Sequence, residues 1–148
     1  MNQNSDKKRL IVAGAFIVHN NKVLLSMRNN SSTDNNTYGL IGGKVEHGEP
    51  IHAALIREIY EEVGIIVKPE DMQIMHILSF CRETGDEIIS CDFMITKWSG
   101  EPFNKEPLKH AHIAWFELDN LPNNILSRHK DAYLLYKKGI YYSSLGYK

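Results

Sequence analysis

The sequence predicts an α/β (α+β) fold in which a mixed β-sheet is flanked by helices. Apolar, β-branched-rich runs and helical segments follow one another in the order strands, helix, strands, helix. The chain has neither an internal repeat nor the regular strand–helix alternation of a parallel sheet. Its 148 residues, 43% of them hydrophobic, suffice for one core, so we predict a single domain over residues 1–148 with a flexible N-terminus at 1–9.

The first part of the chain predicts a hairpin, a polar loop and a short strand. Leu10–Val18 and Val23–Met27 are apolar runs joined by turn residues, which is typical of a hairpin. Residues 29–37 are too polar to bury and predict a surface loop, either a plain connection or a lid beside a site. Tyr38–Ile41 predicts the next strand.

An amphipathic helix follows a pair of glycines at 42 and 43. Pro50 suits the first turn of this helix, where its missing N–H costs little, and Gly64 ends it. At about 100° per residue, three glutamates share one sector of the helix and four aliphatic residues share the neighbouring sector. These are Glu58, Glu61 and Glu62 on one side and Ile51, Leu55, Ile59 and Val63 on the other.

The second half of the chain predicts another hairpin, a strand and a second helix. Met72–Arg82 and Glu87–Trp98 are joined by a Glu-Thr-Gly-Asp turn. His112–Glu117 alternates as a strand does. Ser127–Lys138 has helical spacing of its apolar residues, with Ser127 as the predicted N-cap.

Composition excludes several classes of function. The 17 basic and 18 acidic residues nearly balance and form no sustained basic run, so the electrostatic footprint for long nucleic acid is missing. No apolar stretch approaches the roughly 20 residues of a membrane span, and we therefore expect a cytoplasmic protein with no membrane partner. Cys81 and Cys91 are predicted to be free thiols, because a disulfide framework or zinc site needs more cysteines.

The glutamates of the first helix predict a metal site. Carboxylates so close together repel, and each raises the proton affinity of the others unless a hard cation binds between them. Mg²⁺ is the simplest such ion. The alternative is a solvated acidic helix face.

The segment from Gly43 to Ile65 reads GKVEHGEPIHAALIREIYEEVGI. It resembles the Nudix box at every defined position, with one departure just upstream, where Ile41 replaces the usual proline. The resemblance implies an α/β/α sandwich and metal-dependent hydrolysis of a nucleoside diphosphate linkage. The positions that match are Gly43, Glu49, Arg57, Glu58, Glu61, Glu62 and Gly64, with aliphatic residues at 59 and 65.

The same resemblance implies a role for each of these residues. The metal, Mg²⁺ or Mn²⁺, is held by Glu58, Glu61, Glu62 and the backbone carbonyl of Gly43, and it lowers the pKa of the water that attacks phosphorus.

Arg57 and Glu49 are about two helical turns apart and are predicted to pair, locking the glycine loop onto the helix. The general base is either Glu61 or Glu106, which lies in a loop that resembles that of MutT-type enzymes. His110 is an alternative to Glu106.

The substrate is less specified than the chemistry. Residues 38–43 and 115–122 resemble the MutT-like branch, which hydrolyses nucleoside triphosphates, ordinary or oxidised, to monophosphate and pyrophosphate. ADP-ribose or a nucleotide sugar is the alternative substrate, and a non-catalytic nucleotide-sensing module is the alternative function. Asn124 resembles an asparagine that reads a purine edge, and Tyr38 or Phe80 could stack on the base. A homodimer is a common state for the family.

Overall fold

The computed structural model describes residues 6–29 and 36–148. Within these ranges the chain forms eight strands and two α-helices, and a single 3₁₀ turn, Pro69–Asp71, precedes the fifth strand. The elements are β1 (Arg9–His19), β2 (Lys22–Arg28), β3 (Tyr38–Gly39), β4 (Ile41–Lys44), α1 (Ile51–Val63), β5 (Met72–Cys81), β6 (Glu87–Ile95), β7 (His110–Glu117), α2 (Ser127–Lys137) and β8 (Tyr142–Leu145).

The long strand β1 lies at the centre of a mixed sheet. It pairs in parallel with β6 from Arg9 to Ile17, antiparallel with β4 over Val12–Ala15, and with β2 only at its C-terminal end. The order β3-β2-β1-β6-β5-β8 continues the sheet on both sides, and β7 pairs with β2. Because parallel and antiparallel pairs share one sheet, the predicted fold class is confirmed.

Each helix packs on its own side of the sheet and closes a separate core. Leu55, Ile59 and Val63 of α1 pack against alternate residues of β1 and β6. Ala132 and Tyr133 of α2 join the second core on the opposite side. Side chains alternate across a strand, so β1 contributes to both cores. The result is the α/β/α sandwich.

Two features at the C-terminal end differ from the sequence predictions. The N-cap of α2 is Leu126, and Ser127 is its first helical residue, so the predicted Ser127 cap was wrong. The start is fixed by tertiary bonds instead, because the Leu126 amide donates to the Tyr38 carbonyl oxygen at 2.9 Å. Strand β8 was missed because Tyr142–Leu145 is largely exposed and is defined by its parallel pairing with β5.

The described part of the N-terminus begins at Asp6, before β1. The Lys8 amide donates to Asp86 Oδ1 at 3.0 Å, and Arg9 forms a 2.6 Å ion pair with Glu87. Residues 7–9 are therefore held against the β5–β6 turn, and the predicted flexible segment does not extend through them. Residues 1–5, and residues 30–35 of the predicted loop or lid, lie outside the described residues.

Cys81 and Cys91 are free thiols, as predicted; Cys91 is also buried, as expected, whereas Cys81 is only half-buried. Neither α-helix among the described residues has the length and hydropathy of a membrane-spanning segment.

Candidate active site

Helix α1 projects its glutamates beside the strand β4. Gly64 ends the helix in a left-handed conformation, φ +74°, and donates its N–H to the Tyr60 carbonyl oxygen at 3.0 Å. Burial of Leu55, Ile59 and Val63 fixes the rotation of the helix. That rotation leaves Glu61 half exposed, with 49% of its side chain accessible. Glu62 is buried, with only 6% of its surface exposed.

Arg57 joins the glycine loop to the glutamates of the helix. Its guanidinium pairs with both carboxylate oxygens of Glu49, at 2.7 Å and 3.2 Å. It also reaches Glu58 at 3.1 Å, Glu61 at 3.4 Å and the Lys44 carbonyl oxygen at 3.3 Å. The predicted pair between Arg57 and Glu49 is thus present, in the two-bond geometry that arginine makes with a carboxylate.

The same network sets the charge of Glu49. The Arg57 guanidinium, with the Glu46 amide, holds the pKa of the Glu49 carboxyl below its usual range. Glu49 is therefore a permanent anion near neutral pH, and it anchors the loop between β4 and α1.

Glu58 and Glu62 lie against the paired glycines of β4. The Gly42 amide donates to Glu62 Oε2 at 3.2 Å. Gly43 leaves space for Glu58, because a Cβ at this position would lie 2.5 Å from the Glu58 carboxyl carbon. Burial raises the pKa of Glu58, and the nearby Glu62 raises it further although Arg57 opposes both effects.

This donor set fits a hard divalent cation. The donors are carboxylate oxygens, and two of the carboxylates are close enough for one to perturb the other. Among the described residues, no group of three or more His, Cys, Asp or Glu side chains converges closely enough to hold a metal ion by side chains alone. An open arrangement suits Mg²⁺, which is held by one or two carboxylates and completes its octahedron with water and substrate phosphates.

The loop before β7 contributes a second group of charges. Glu106 Oε2 pairs with Lys109 Nζ at 3.0 Å. Glu106 raises the pKa of Lys109, and the charges of Glu58 and Glu62 raise it further. Lys109 lines one cavity together with Glu62 and His110. His110 Nε2 lies 3.8 Å from Glu62 Oε1. Glu106 therefore lies next to the cluster through Lys109, whereas His110 contacts the cluster directly.

A cavity of about 260 Å³ opens on the other side of β4, on the α2 face of the sheet. It combines apolar walls, three arginines and two buried titratable side chains. Its lining comprises Leu10, Val12, Ala13, Gly14, Arg28, Leu40, Gly42, Gly43, Lys44, Arg82, Ile88, Ser90, Asp92, Arg128 and His129. Gly42 and Gly43 thus border both the glutamates and the cavity.

Sequence reasoning missed the buried pair in this cavity, Asp92 and His129. Burial raises the pKa of Asp92 to about 7 and lowers that of His129 to about 3, so His129 is neutral. Nδ1 of His129 accepts a 3.2 Å bond from the Leu40 amide. The available signal was a lone aspartate within the apolar run of β6.

The residues predicted to bind the base lie elsewhere. Tyr38 Oη is 2.5 Å from His112 Nε2, and the Tyr38 ring meets Phe116 edge-on at 4.7 Å between ring centroids. The Asn124 amide donates to the Asn36 carbonyl oxygen at 3.0 Å. Phe80 lines a separate cavity of about 830 Å³ near the C-terminus. Their roles stay predictions.

The NUDIX domain model matches residues 8–137, most of the chain. The chain belongs to the NUDIX domain family. This confirms the predicted resemblance to the Nudix family.

Named relatives of this Nudix chain are hydrolases of phosphoric anhydride bonds. The 8-oxo-dGTP diphosphatase of Escherichia coli K12 is 34% identical over 119 residues, covering 78% of this chain and 89% of that protein. The ADP-ribose pyrophosphatase of Methanocaldococcus jannaschii is 31% identical over 131 residues, covering 87% and 75%. The predicted enzyme class is therefore confirmed.

The fold agrees with a solved structure. The MutT NUDIX hydrolase of Burkholderia pseudomallei matches with a TM-score of 0.79 and 29% identity, over 86% of this chain and 98% of that one. Together with the relatives, it confirms the predicted MutT-like resemblance.

Proposed function

We propose that this Nudix hydrolase cleaves a nucleoside triphosphate, ordinary or oxidised, to a monophosphate and pyrophosphate. Gly42 and Gly43 support this proposal by their position, because they border the glutamates of α1 on one side and the cavity with three arginines on the other. A phosphate chain crossing this strand would join a nucleoside in the cavity to a metal at the glutamates.

The metal is proposed to be Mg²⁺ or Mn²⁺, held by Glu58, Glu61, Glu62 and the backbone carbonyl of Gly43. Such an ion would neutralise phosphate oxygens and make water more acidic at neutral pH. Carboxylate oxygens are the donors that these ions prefer.

The protein's own groups position this chemistry. Arg57, through its bonds to Glu49 and Glu58, holds the loop and the helix in one geometry. The bond from the Gly42 amide fixes Glu62. We propose Glu61 as the general base, because it is the most exposed of the three box glutamates and its one described contact is a 3.4 Å pair with Arg57. Glu106, held by Lys109, is the alternative base.

ADP-ribose or a nucleotide sugar is a second candidate substrate, favoured by the similarity to the Methanocaldococcus jannaschii enzyme. A nucleotide-sensing role without catalysis is disfavoured, because all three box glutamates are present. Tyr38, Phe80 and Asn124 do not line the cavity with three arginines, so their contacts with the base stay predictions from the sequence.

We also propose that residues 1–148 are a single catalytic domain. The predicted cytoplasmic location and homodimer stay predictions.

The test is release of pyrophosphate or phosphate from a nucleotide panel with Mg²⁺ or Mn²⁺ at mildly alkaline pH. The panel contains ordinary and oxidised triphosphates, ADP-ribose, dinucleoside polyphosphates and nucleotide sugars. We expect pyrophosphate from a triphosphate, lost in Glu61→Gln and retained in Glu70→Gln, a matched change at an exposed glutamate. Turnover of ADP-ribose alone would select the second substrate. Wild-type activity in Glu61→Gln would refute the role of Glu61.

A further inference from the structure

The floor of the cavity is built around one close contact between β1 and β6. Gly14 and Asp92 are paired across these parallel strands. A Cβ on Gly14 would lie 2.6 Å from Asp92 Oδ1, so the carboxyl group occupies the space that a side chain at Gly14 would fill. The missing side chain of Gly14 therefore lets Asp92 enter the cavity floor while remaining 3% exposed.

Asp92 has acceptor capacity that the described residues do not use. Its one described hydrogen bond, from Ser90 Oγ, is 3.5 Å long, well beyond the usual length for a hydroxyl donor. A carboxylate can accept about four hydrogen bonds, and a buried one without partners is costly. Arg128 favours the charged form of Asp92 through its own charge, which partly offsets burial. Among the described hydrogen bonds, Asp92 Oδ2 therefore has no donor and Oδ1 has only the long bond from Ser90.

The surroundings of Asp92 suit a planar ring. Leu10, Val12 and Ile88 supply apolar walls, and His129 is neutral with its Nδ1 already bonded to the Leu40 amide. The volume of about 260 Å³ is just below the range of pockets that enclose drug-sized ligands, so a base fits with its sugar at the mouth. The arginines of the lining suit the phosphates of the same nucleotide.

We propose that Asp92 determines base specificity, its carboxylate accepting two N–H donors from the edge of a guanine-type base. This inference rests on the proposed function, because it assigns the substrate class of the same site. Guanine presents its N1–H and 2-amino group side by side, whether or not C8 is oxidised. Adenine and the pyrimidines mix donors with acceptors on that edge and leave a carboxylate oxygen facing an acceptor or a C–H.

The test compares GTP with ITP, which lacks only the 2-amino group, and with ATP. The kcat/KM of each is measured for the wild type, for Asp92→Asn and for Asp119→Asn, the same change at an exposed aspartate. We expect the wild type to prefer GTP over ITP by about 10-fold, the value of one charge-assisted hydrogen bond. In Asp92→Asn, the ratio of kcat/KM for GTP to that for ITP should fall to about one. The kcat/KM for ATP should rise relative to that for GTP, because an amide offers one donor and one acceptor.

A purely structural role of Asp92 would lower all rates together and leave the GTP-to-ITP ratio unchanged, and that result would overturn the inference. A wild-type preference for ATP would also overturn it. If Asp92→Asn does not fold, Asp92→Ser replaces it, and this variant should also lose the preference for GTP over ITP.

The proposed function can fail separately. If the wild type hydrolyses no triphosphate, calorimetric binding of GMP and IMP decides the inference without turnover. A GMP preference that disappears in Asp92→Asn supports it, and equal binding in the wild type refutes it.

Discussion

Replacing Asp92 by asparagine should change how the stability of the protein depends on pH. The pKa of Asp92 is raised by burial from 3.8 to about 7. Between these values the folded protein retains a proton that the unfolded chain has lost, so the free energy of unfolding falls as the pH rises. At about 1.4 kcal/mol per unit over about three units, this decrease amounts to about 4 kcal/mol, and Asp92→Asn should abolish it.

The neighbouring His129 changes the free energy of unfolding with pH in the opposite direction, so its contribution must be separated from that of Asp92. Its pKa is lowered from 6.5 to about 3, so its contribution to stability is present above pH 6.5 and is lost as the pH falls toward 3. Because His129 is present in both proteins, its effect cancels in the difference between wild type and variant. The stability of the variant relative to the wild type should therefore rise from about pH 4 to about pH 7 and then level off.

The assay is urea unfolding followed by circular dichroism from about pH 4 to about pH 8 at constant ionic strength. Asp119→Asn serves as the control, and its stability relative to the wild type should stay level, because Asp119 is exposed. If the difference in free energy of unfolding between Asp92→Asn and the wild type does not change with pH, Asp92 titrates near its ordinary pKa in the folded protein. The burial of this carboxyl group against Gly14 would then be refuted.

Two further substitutions test the site itself. Because Glu61 is the proposed general base, Glu106→Gln should leave kcat near that of the wild type, and a decrease of about 10²-fold or more would assign the role to Glu106 instead. Gly43→Ala should abolish Mg²⁺-dependent turnover, because its Cβ would displace the Glu58 carboxylate. The same substitution should change the free energy of unfolding by less than about 1 kcal/mol, since the displaced group ends a flexible side chain. Unaltered turnover in Gly43→Ala would show that the position of Glu58 is not critical. For comparison, Gly42→Ala should destabilise the fold, because its Cβ would overlap the Ala13 backbone carbonyl oxygen.

Much of the fold could be predicted from local sequence patterns. The boundaries of α1 follow from Pro50 and Gly64, and its apolar spacing predicts which face is buried. The strands of both hairpins follow from apolar runs and turn residues. These signals are local because the period of a helix or strand is set by residues a few positions apart.

The sequence by itself therefore determined the family, the mixed sheet and the glutamate cluster, because the residues of the box are neighbours on one helix and its loop. Only the tertiary structure decided that Asp92 meets Gly14, that His110 contacts Glu62 and that the N-cap of α2 is Leu126 rather than Ser127. These contacts join residues far apart in the chain, and no local period encodes them. They arise when β1 and β6 pair in parallel and the two helices cover opposite faces of the sheet.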